Sequence, residues 1–165
     1  THDPVRLAVI NVGEFTERCY QLAPGDDIYL RGPHGVPVTP PSNAHIVCVA
    51  GGTGLAAVYQ VAEDFGSAEQ PADLFVGART ANRLYFRDEC DAVGRVTLAP
   101  DDGSAGFHGR VSDALDAFLA QQAPDALANM VFYNCGPAPM IHASEAVQNR
   151  VRPGRSNLQR YRLPD

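Results

Sequence analysis

The sequence is poor in cysteine, and its cysteines are dispersed. Cys19, Cys48, Cys90 and Cys135 are the four present, and none belongs to a C-x-x-C pair. Structural zinc and iron–sulfur sites use closely spaced ligands, so these cysteines alone make neither. Free thiols in a reducing, cytoplasmic setting are the simplest reading. His2, His34, His45, His108 and His142 are equally scattered and form no H-x-x-x-H pattern, so no metal site is expected. No long uninterrupted apolar segment occurs, which leaves nothing to insert into a membrane. The start, "THDPVRLAVI", lacks the basic residues and apolar stretch of a secretion signal. It also lacks an initiator methionine, as expected of a processed chain or a fragment. Positive charge is scarce too: 13 Lys and Arg stand against 19 Asp and Glu, a net charge of -6. A nucleic-acid partner would need a basic stripe to displace counterions, so none is expected.

What remains is an ordinary globular chain. Its 165 residues are 45% hydrophobic and 19% charged, enough for one packed domain with a small appendage. Residues 1–41 look β-rich. "VRLAVINV" has strand composition, and "DDIYLRG" follows the turn "APGD" as a short strand. "RGPHGVPVTPPSN" reads as loop and linker, and so few strands cannot close an independent barrel or sandwich. Residues 42–152 alternate differently. "HIVCVA", "ADLFVGA", "GRVTLAP" and "NMVFYNCG" are apolar runs without alternation, as expected of strands buried on both faces. Between them lie the helical stretches "LAAVYQVAEDF", "ANRLYFRDEC" and "VSDALDAFLAQQ", and "APMIHASEAVQNR" follows the last strand. This order predicts an α/β fold with a doubly wound parallel sheet and right-handed crossovers. Residues 153–165 form a C-terminal tail. The basic stretch "RVRPGRSNLQRYR" is expected to be extended, bound to a partner, or a solvated end.

Ligands of such sheets bind beyond the carboxyl ends of the strands, where strand order reverses. Gly51-Gly52-Thr53-Gly54 ends the first parallel strand and opens the first helix. It is either a tight turn or a place where backbone N–H groups reach a phosphate. It is neither G-x-G-x-x-G nor a P-loop. At the end of the fourth strand, Cys135-Gly136-Pro137 leads into a helix containing Met140, with proline suited to a first helical turn. Cys135 alone reads as a buried, inert thiol, and nucleophilic catalysis is not expected because no oriented base accompanies it.

In this order the motifs resemble the ferredoxin–NADP reductase superfamily. Gly13-x-x-Thr16, Gly25-Asp26, Gly32-Pro33-x-Gly35, "AGGTGLA", "LFVGART" and "YNCGPAPM" carry the likeness across most of the chain. "GARTANRLYFRDE" and "DDGSAGFHGRVSDAL" resemble the electron-transfer subunit of dihydroorotate dehydrogenase and its hydrogenase and sulfite reductase relatives. The resemblance implies a nicotinamide-binding α/β domain of ferredoxin reductase type, preceded by a small β-rich remnant of a flavin-binding barrel. It implies a flavin-dependent oxidoreductase component that takes a hydride from NAD(P)H to FAD and passes electrons to a partner protein. Carried over residue by residue, it assigns the dinucleotide to Gly51, Gly52, Thr53, Gly54 and Leu55, to Gly77, Ala78 and Arg79, and to Asp101 and Asp102. Cys135, Gly136, Pro137 and Met140 would line the hydride-transfer position, with Cys135 acting in the transfer. Gly13, Thr16, Gly32, Pro33 and Gly35 would face the flavin, and His34 could stack near it.

Several choices stay open at this level. Arg79 and Arg83 either bind a 2′-phosphate, favouring NADPH, or are solvated near Asp88 and Glu89. NADH is expected because relatives of this type use it. Asp101 and Asp102 either contact the ligand or are solvated turn carboxylates. Phe107 or His108 packs on a nicotinamide or caps its loop. Two departures from the family pattern stand out. The Arg-x-Tyr-Ser/Thr flavin signature is missing upstream, so FAD is not expected to be held by this chain alone. The cysteine cluster that ends the dihydroorotate dehydrogenase subunit is also missing. The alternative is a nucleotide-binding or regulatory module without turnover. A methyltransferase-like enzyme would call for an acidic residue after the second strand, which Val76-Gly77-Ala78 does not supply.

Overall fold

The computed structural model describes residues 5–32, 34–151 and 159–162, the last four through their backbone. The chain divides into two units, Thr1–Thr39 and Pro40–Asp165.

The second unit carries the sheet. β1 (His45–Gly51), β2 (Ala72–Ala78), β3 (Gly94–Pro100) and β4 (Met130–Gly136) are parallel, and β5 (Gln159–Arg162) joins them. The order is β3-β2-β1-β4-β5. Val47, Val49, Phe75, Ala99 and Phe132 are buried in one cluster with Val111, Leu115 and Leu119. Burial on both faces explains why β1, β2 and β4 show no alternation, whereas β3, at the sheet edge, is buried only at Ala99 and Pro100 and so departs from the expected two-sided burial. α2 (Gly54–Phe65) touches α3 (Arg87–Val93), while α4 (Val111–Leu119) touches α6 (Ala138–Val151). From β1 the chain winds outward through β2 to β3, then returns by α4 to form β4 on the other side of β1. Strand order therefore reverses between β1 and β4, the topological switch point.

Buried polar groups fix both ends of this unit. Asn134 on β4 and Gln148 on α6 exchange two amide hydrogen bonds of 3.1 and 3.0 Å while fully buried. At the amino ends of the strands, buried Asp73 accepts bonds from Arg95 Nε (2.8 Å) and Nη2 (2.9 Å) and pairs with His45 Nε2 at 2.6 Å.

Two elements differ from expectation here. "ANRLYFRDEC" is not one helix: a 3-10 turn, Ala81–Arg83, stops before α3 starts at Arg87. Phe86 between them has φ +57, a left-handed backbone that interrupts helical hydrogen bonding. The tail also contributes β5, paired in parallel with β4 from Tyr133↔Gln159 to Gly136↔Arg162. A polar Gln-Arg-Tyr-Arg stretch at a sheet edge needs only backbone pairing, so its composition hides it. Residues 152–158, with most of the basic tail, lie outside the described residues. A short α5 (Pro124–Asn129), with proline in its first turn, precedes β4.

The first unit corrects the β-rich reading. Among its described residues no strand is formed, and the ordered element is α1 (Glu14–Tyr20). The "APGD" turn is present, with Gly25 at φ +104 and Asp26 N–H bonded to the Ala23 carbonyl at 3.0 Å. The strand-like stretches lack partners to complete a ladder, and two strands alone are marginal. Their apolar side chains stay exposed, Val5 by 75% and Tyr29 by 93%.

Candidate functional site

The carboxyl ends of β1 and β4 meet through glycine. A Cβ on Gly51 would lie 2.6 Å from Met140 Sδ and 2.8 Å from Pro137 Cδ, and one on Gly136 would lie 2.9 Å from Gly51 N. Gly52 has a different reason to be glycine. Its φ is +55, and nothing stands within 4 Å of where a Cβ would be. The turn thus combines a left-handed backbone with open space at the start of α2, where the Leu55 and Ala56 N–H groups bond the Gly52 and Thr53 carbonyls and the Gly54 N–H has no intrahelical acceptor. Gly54 is a packing residue: a Cβ there would fall 2.2 Å from the Cys135 carbonyl oxygen. Leu55 is buried in the core beside it.

A cleft of about 790 Å³ opens over these ends, walled by Gly51, Gly52, Pro137 and Met140 at the β1–β4 side. Gly77, Ala78, Arg79 and Asp101 continue it over β2 and β3. Thr53 stands half-buried at the α2 N-cap without lining the cleft. Asp102 belongs to its own loop. Its Oδ1 accepts from Ser104 N (3.0 Å) and Oγ (2.5 Å), which holds the carboxyl below its ordinary range. Ser104 Oγ in turn accepts the Ala81 N–H at 2.9 Å, tying this loop to the turn after β2. Phe107 packs on the core, and the His108 ring lies against Gly103, so both serve the loop.

Cys135 is 1% exposed and does not line the cleft. Burial pushes its thiol pKa up, and it makes no hydrogen bond among the described residues. Gly136 likewise stands behind Pro137 rather than at the wall. Gly13, Thr16, Gly32, His34 and Gly35 belong to the other unit; Pro33 lies outside the described residues. There Thr16 Oγ1 accepts the N–H groups of Val12 (2.9 Å) and Gly13 (3.0 Å) and donates to the Gly13 carbonyl (2.9 Å). That hydroxyl has no capacity left for a flavin pyrophosphate, so as folded it does not fit the group.

The cleft also contains residues that sequence reasoning missed. Gly109, Arg110, Val111, Ser112 and Asp113 bring the start of α4 to the wall. Asp113 Oδ2 accepts the Arg110 N–H at 3.0 Å, leaving the first-turn N–H groups of Val111 and Ser112 without helical partners. Tyr85 lies at the β2 side, with Arg79 and Arg83. The guanidinium groups of Arg79, Arg83 and Arg110 are unpaired among the described side chains. Two helix amino ends and three free guanidinium groups suit an anionic ligand. The "GRVSD" segment after a glycine loop was the available signal for α4, but only the crossover shows that it returns to the cleft.

Among the described residues, no three His, Cys, Asp or Glu side chains converge as a metal site, and no helix is long and apolar enough to cross a membrane. Residues 48–146 match the family described as the oxidoreductase NAD-binding domain. A probable dihydroorotate dehydrogenase B (NAD(+)) electron transfer subunit from Methanothermobacter thermautotrophicus is 33% identical over 165 residues, covering 96% of this chain and 59% of that protein. Its counterpart from Methanocaldococcus jannaschii is 32% identical over 156 residues, covering 94% and 58%. The chain thus spans somewhat over half the length of these relatives. The structure of an NADH-dependent reduced ferredoxin–NADP oxidoreductase superposes with a TM-score of 0.70 at 27% identity, covering 86% of this chain and 50% of that one. With the glycine-ended switch point and these likenesses in agreement, the chain belongs to the oxidoreductase NAD-binding domain family.

Proposed function

We propose that this chain is the dinucleotide-binding component of a flavin-dependent oxidoreductase that passes electrons to a partner subunit. The observation that carries the reading is Gly52: a left-handed glycine, open to a cleft, at the amino end of α2 and at the switch point. Residues 42–152 are the dinucleotide part and 1–41 the flavin-facing part. When bound, the nicotinamide supplies a hydride and the flavin accepts it. The chain's own work is orientation. The Gly54 N–H of α2 and the Val111 and Ser112 N–H groups of α4 hold the phosphates, and Pro137 and Met140 bound the space beside Gly51 where the reacting ring would lie. Buried Cys135 backs that wall as a neutral thiol and tunes its shape.

NADH is the dinucleotide we assign. The Asp101 carboxylate lines the cleft beside Arg79, where it accepts hydrogen bonds from ribose hydroxyls and repels a 2′-phosphate. The relatives' names carry NAD(+), while the similar oxidoreductase is named for both NADH and NADP. The saturated Thr16 hydroxyl favours FAD being held only with a partner chain. The four thiols are free, which fits a reducing cytoplasm. Calorimetric titration tests the core of this: NADH binds and NADPH binds at least several-fold more weakly. Absence of binding by both dinucleotides refutes it. The same Thr16 geometry favours one second reading, a nucleotide-binding module without turnover. Flavin reduction by NADH after supplying FAD and the copurified partner excludes that module.

A further inference from the structure

We propose that Asn134 and Gln148 are positioning residues: their buried amide pair sets the register of α6 on β4, and through it the wall that faces the reacting ring. This rests on the dinucleotide reading above and adds two residues that do not line the cleft. Both side chains are buried, and each amide donates one hydrogen bond to the other's oxygen, at 3.1 and 3.0 Å. Such a reciprocal pair closes in one register, whereas apolar contact is non-directional and permits sliding. The apolar share of the α6 seat is small. Of its four buried residues, Ile141, Ser144, Glu145 and Gln148, only Ile141 is apolar. Met140, Val147 and Val151 are partly buried against the core cluster. The Arg150–Asp116 ion pair to α4 is exposed, where such pairs contribute little.

Register matters because this wall has no slack. Asn134 shares its sheet face with Gly136, two residues on. A Cβ on Gly136 would lie 2.8 Å from Met140 Cε, and one on Gly51 would lie 2.6 Å from Met140 Sδ. The start of α6 is therefore seated against both strand ends with room for hydrogen alone. From Asn134 the chain runs through Pro137 and Met140 to Gln148, and the amide pair closes it into a ring. The cleft wall is part of that ring. A slide of α6 by about 1 Å would press Met140 onto Gly51 or open a gap beside it, and a misplacement of that size costs about a hundredfold in rate.

Asn134→Leu combined with Gln148→Met tests this, because the pair keeps the shape of both amides and leaves no polar group unpaired. Its thermal midpoint is expected to match the parent or exceed it. NADH affinity by calorimetry should stay within about threefold, while flavin reduction by NADH, with FAD and the copurified partner supplied, slows about tenfold or more. Asn134→Gln combined with Gln148→Asn keeps two amides of the same summed reach and should recover most of the rate. An unchanged rate in the apolar pair, or an affinity loss as large as the rate loss, overturns the positioning role. Hydrogen exchange reads the parent chain alone, whether or not a variant folds. The Ile141 N–H, bonded to the Pro137 carbonyl at 3.1 Å, sits in the first turn of α6, which would fray if α6 were loosely seated. Its exchange is expected to lie within about a hundredfold of the β1 amides, and faster exchange overturns the proposal. A parent that binds NADH but reduces no flavin also overturns it, since there is then no transfer to position. A parent that binds no NADH fails the dinucleotide reading first.

Discussion

The two rims of the sheet are built on opposite terms. At the amino ends of β1, β2 and β3, Asp73 is enclosed and its oxygens are taken by Arg95 and His45. At the carboxyl ends β1 and β4 stop on glycine, and Arg79, Arg83 and Arg110 line a cleft with guanidinium groups unpaired among the described side chains. One rim uses its charges on itself; the other leaves charges and helix amino ends for a ligand. A chain that satisfied both rims would be more stable and bind nothing.

The glycines offer the hardest break of this comparison. Gly54→Ala drives a methyl to 2.2 Å from the Cys135 carbonyl, so α2 must move off β4. Because the obstacle is backbone, we expect a loss of about 3 kcal/mol, the upper end for overpacking, and loss of NADH binding. Thermal unfolding and calorimetric titration read the two effects. Gly52→Ala separates them. Its Cβ meets nothing, so stability falls only by about 1–2 kcal/mol for the left-handed backbone. The methyl projects beside the helix amino end, and NADH affinity should fall tenfold or more. Equal losses of stability in the two variants would erase the distinction between a packing glycine and a ligand-facing one.

The amino-terminal rim should respond to pH and ignore the ligand. Burial pushes Asp73 up, but the hydrogen bonds and charges of Arg95 and His45 outweigh it and hold its carboxyl below the ordinary value. A folded-state pKa below the unfolded one stabilises above the unfolded value, about 3.9, and that stabilisation is lost as pH falls through the folded one. Urea midpoints should therefore fall between roughly pH 5 and 3 more steeply in the parent than in Asp73→Asn. At neutral pH the substitution should cost about 1–2 kcal/mol, toward the low side because Arg95 is 59% exposed. NADH affinity should not change.

How much of this was legible depends on what a residue pattern encodes. The four strands were readable as continuous apolar runs, and their bounds agree within a residue, although only β1, β2 and β4 are buried along their length. β5 was not, since Gln159–Arg162 contributes backbone pairing rather than apolar side chains. "VRLAVINV" misled for the complementary reason: composition describes side chains, while a strand also needs a neighbour. At the site, Gly51, Gly52 and Pro137 were readable because glycine and proline mark strand ends. Tyr85 and the start of α4 were not, because a crossover places them and no local spacing records it.

The smallest effect expected concerns the thiols, and it bears on Cys135 directly. Cys48, Cys90 and Cys135 are buried, and burial raises each thiol pKa, that of Cys90 to about 11. Cys19 alone is half-exposed. Iodoacetamide at about pH 8 should therefore label Cys19 in the native chain and spare the rest, because the thiolate is the nucleophile. Cys135→Ala should leave NADH affinity within about twofold, since the thiol does not line the cleft, and cost about 1 kcal/mol for the small void behind Gly136. If it acts, it acts by holding the wall: hydride transfer measured by stopped flow would slow while affinity stays. Rapid alkylation of Cys135 in the free chain, prevented by NADH, would instead put the thiol at the cleft surface and make the carboxyl rim more open than its glycines indicate.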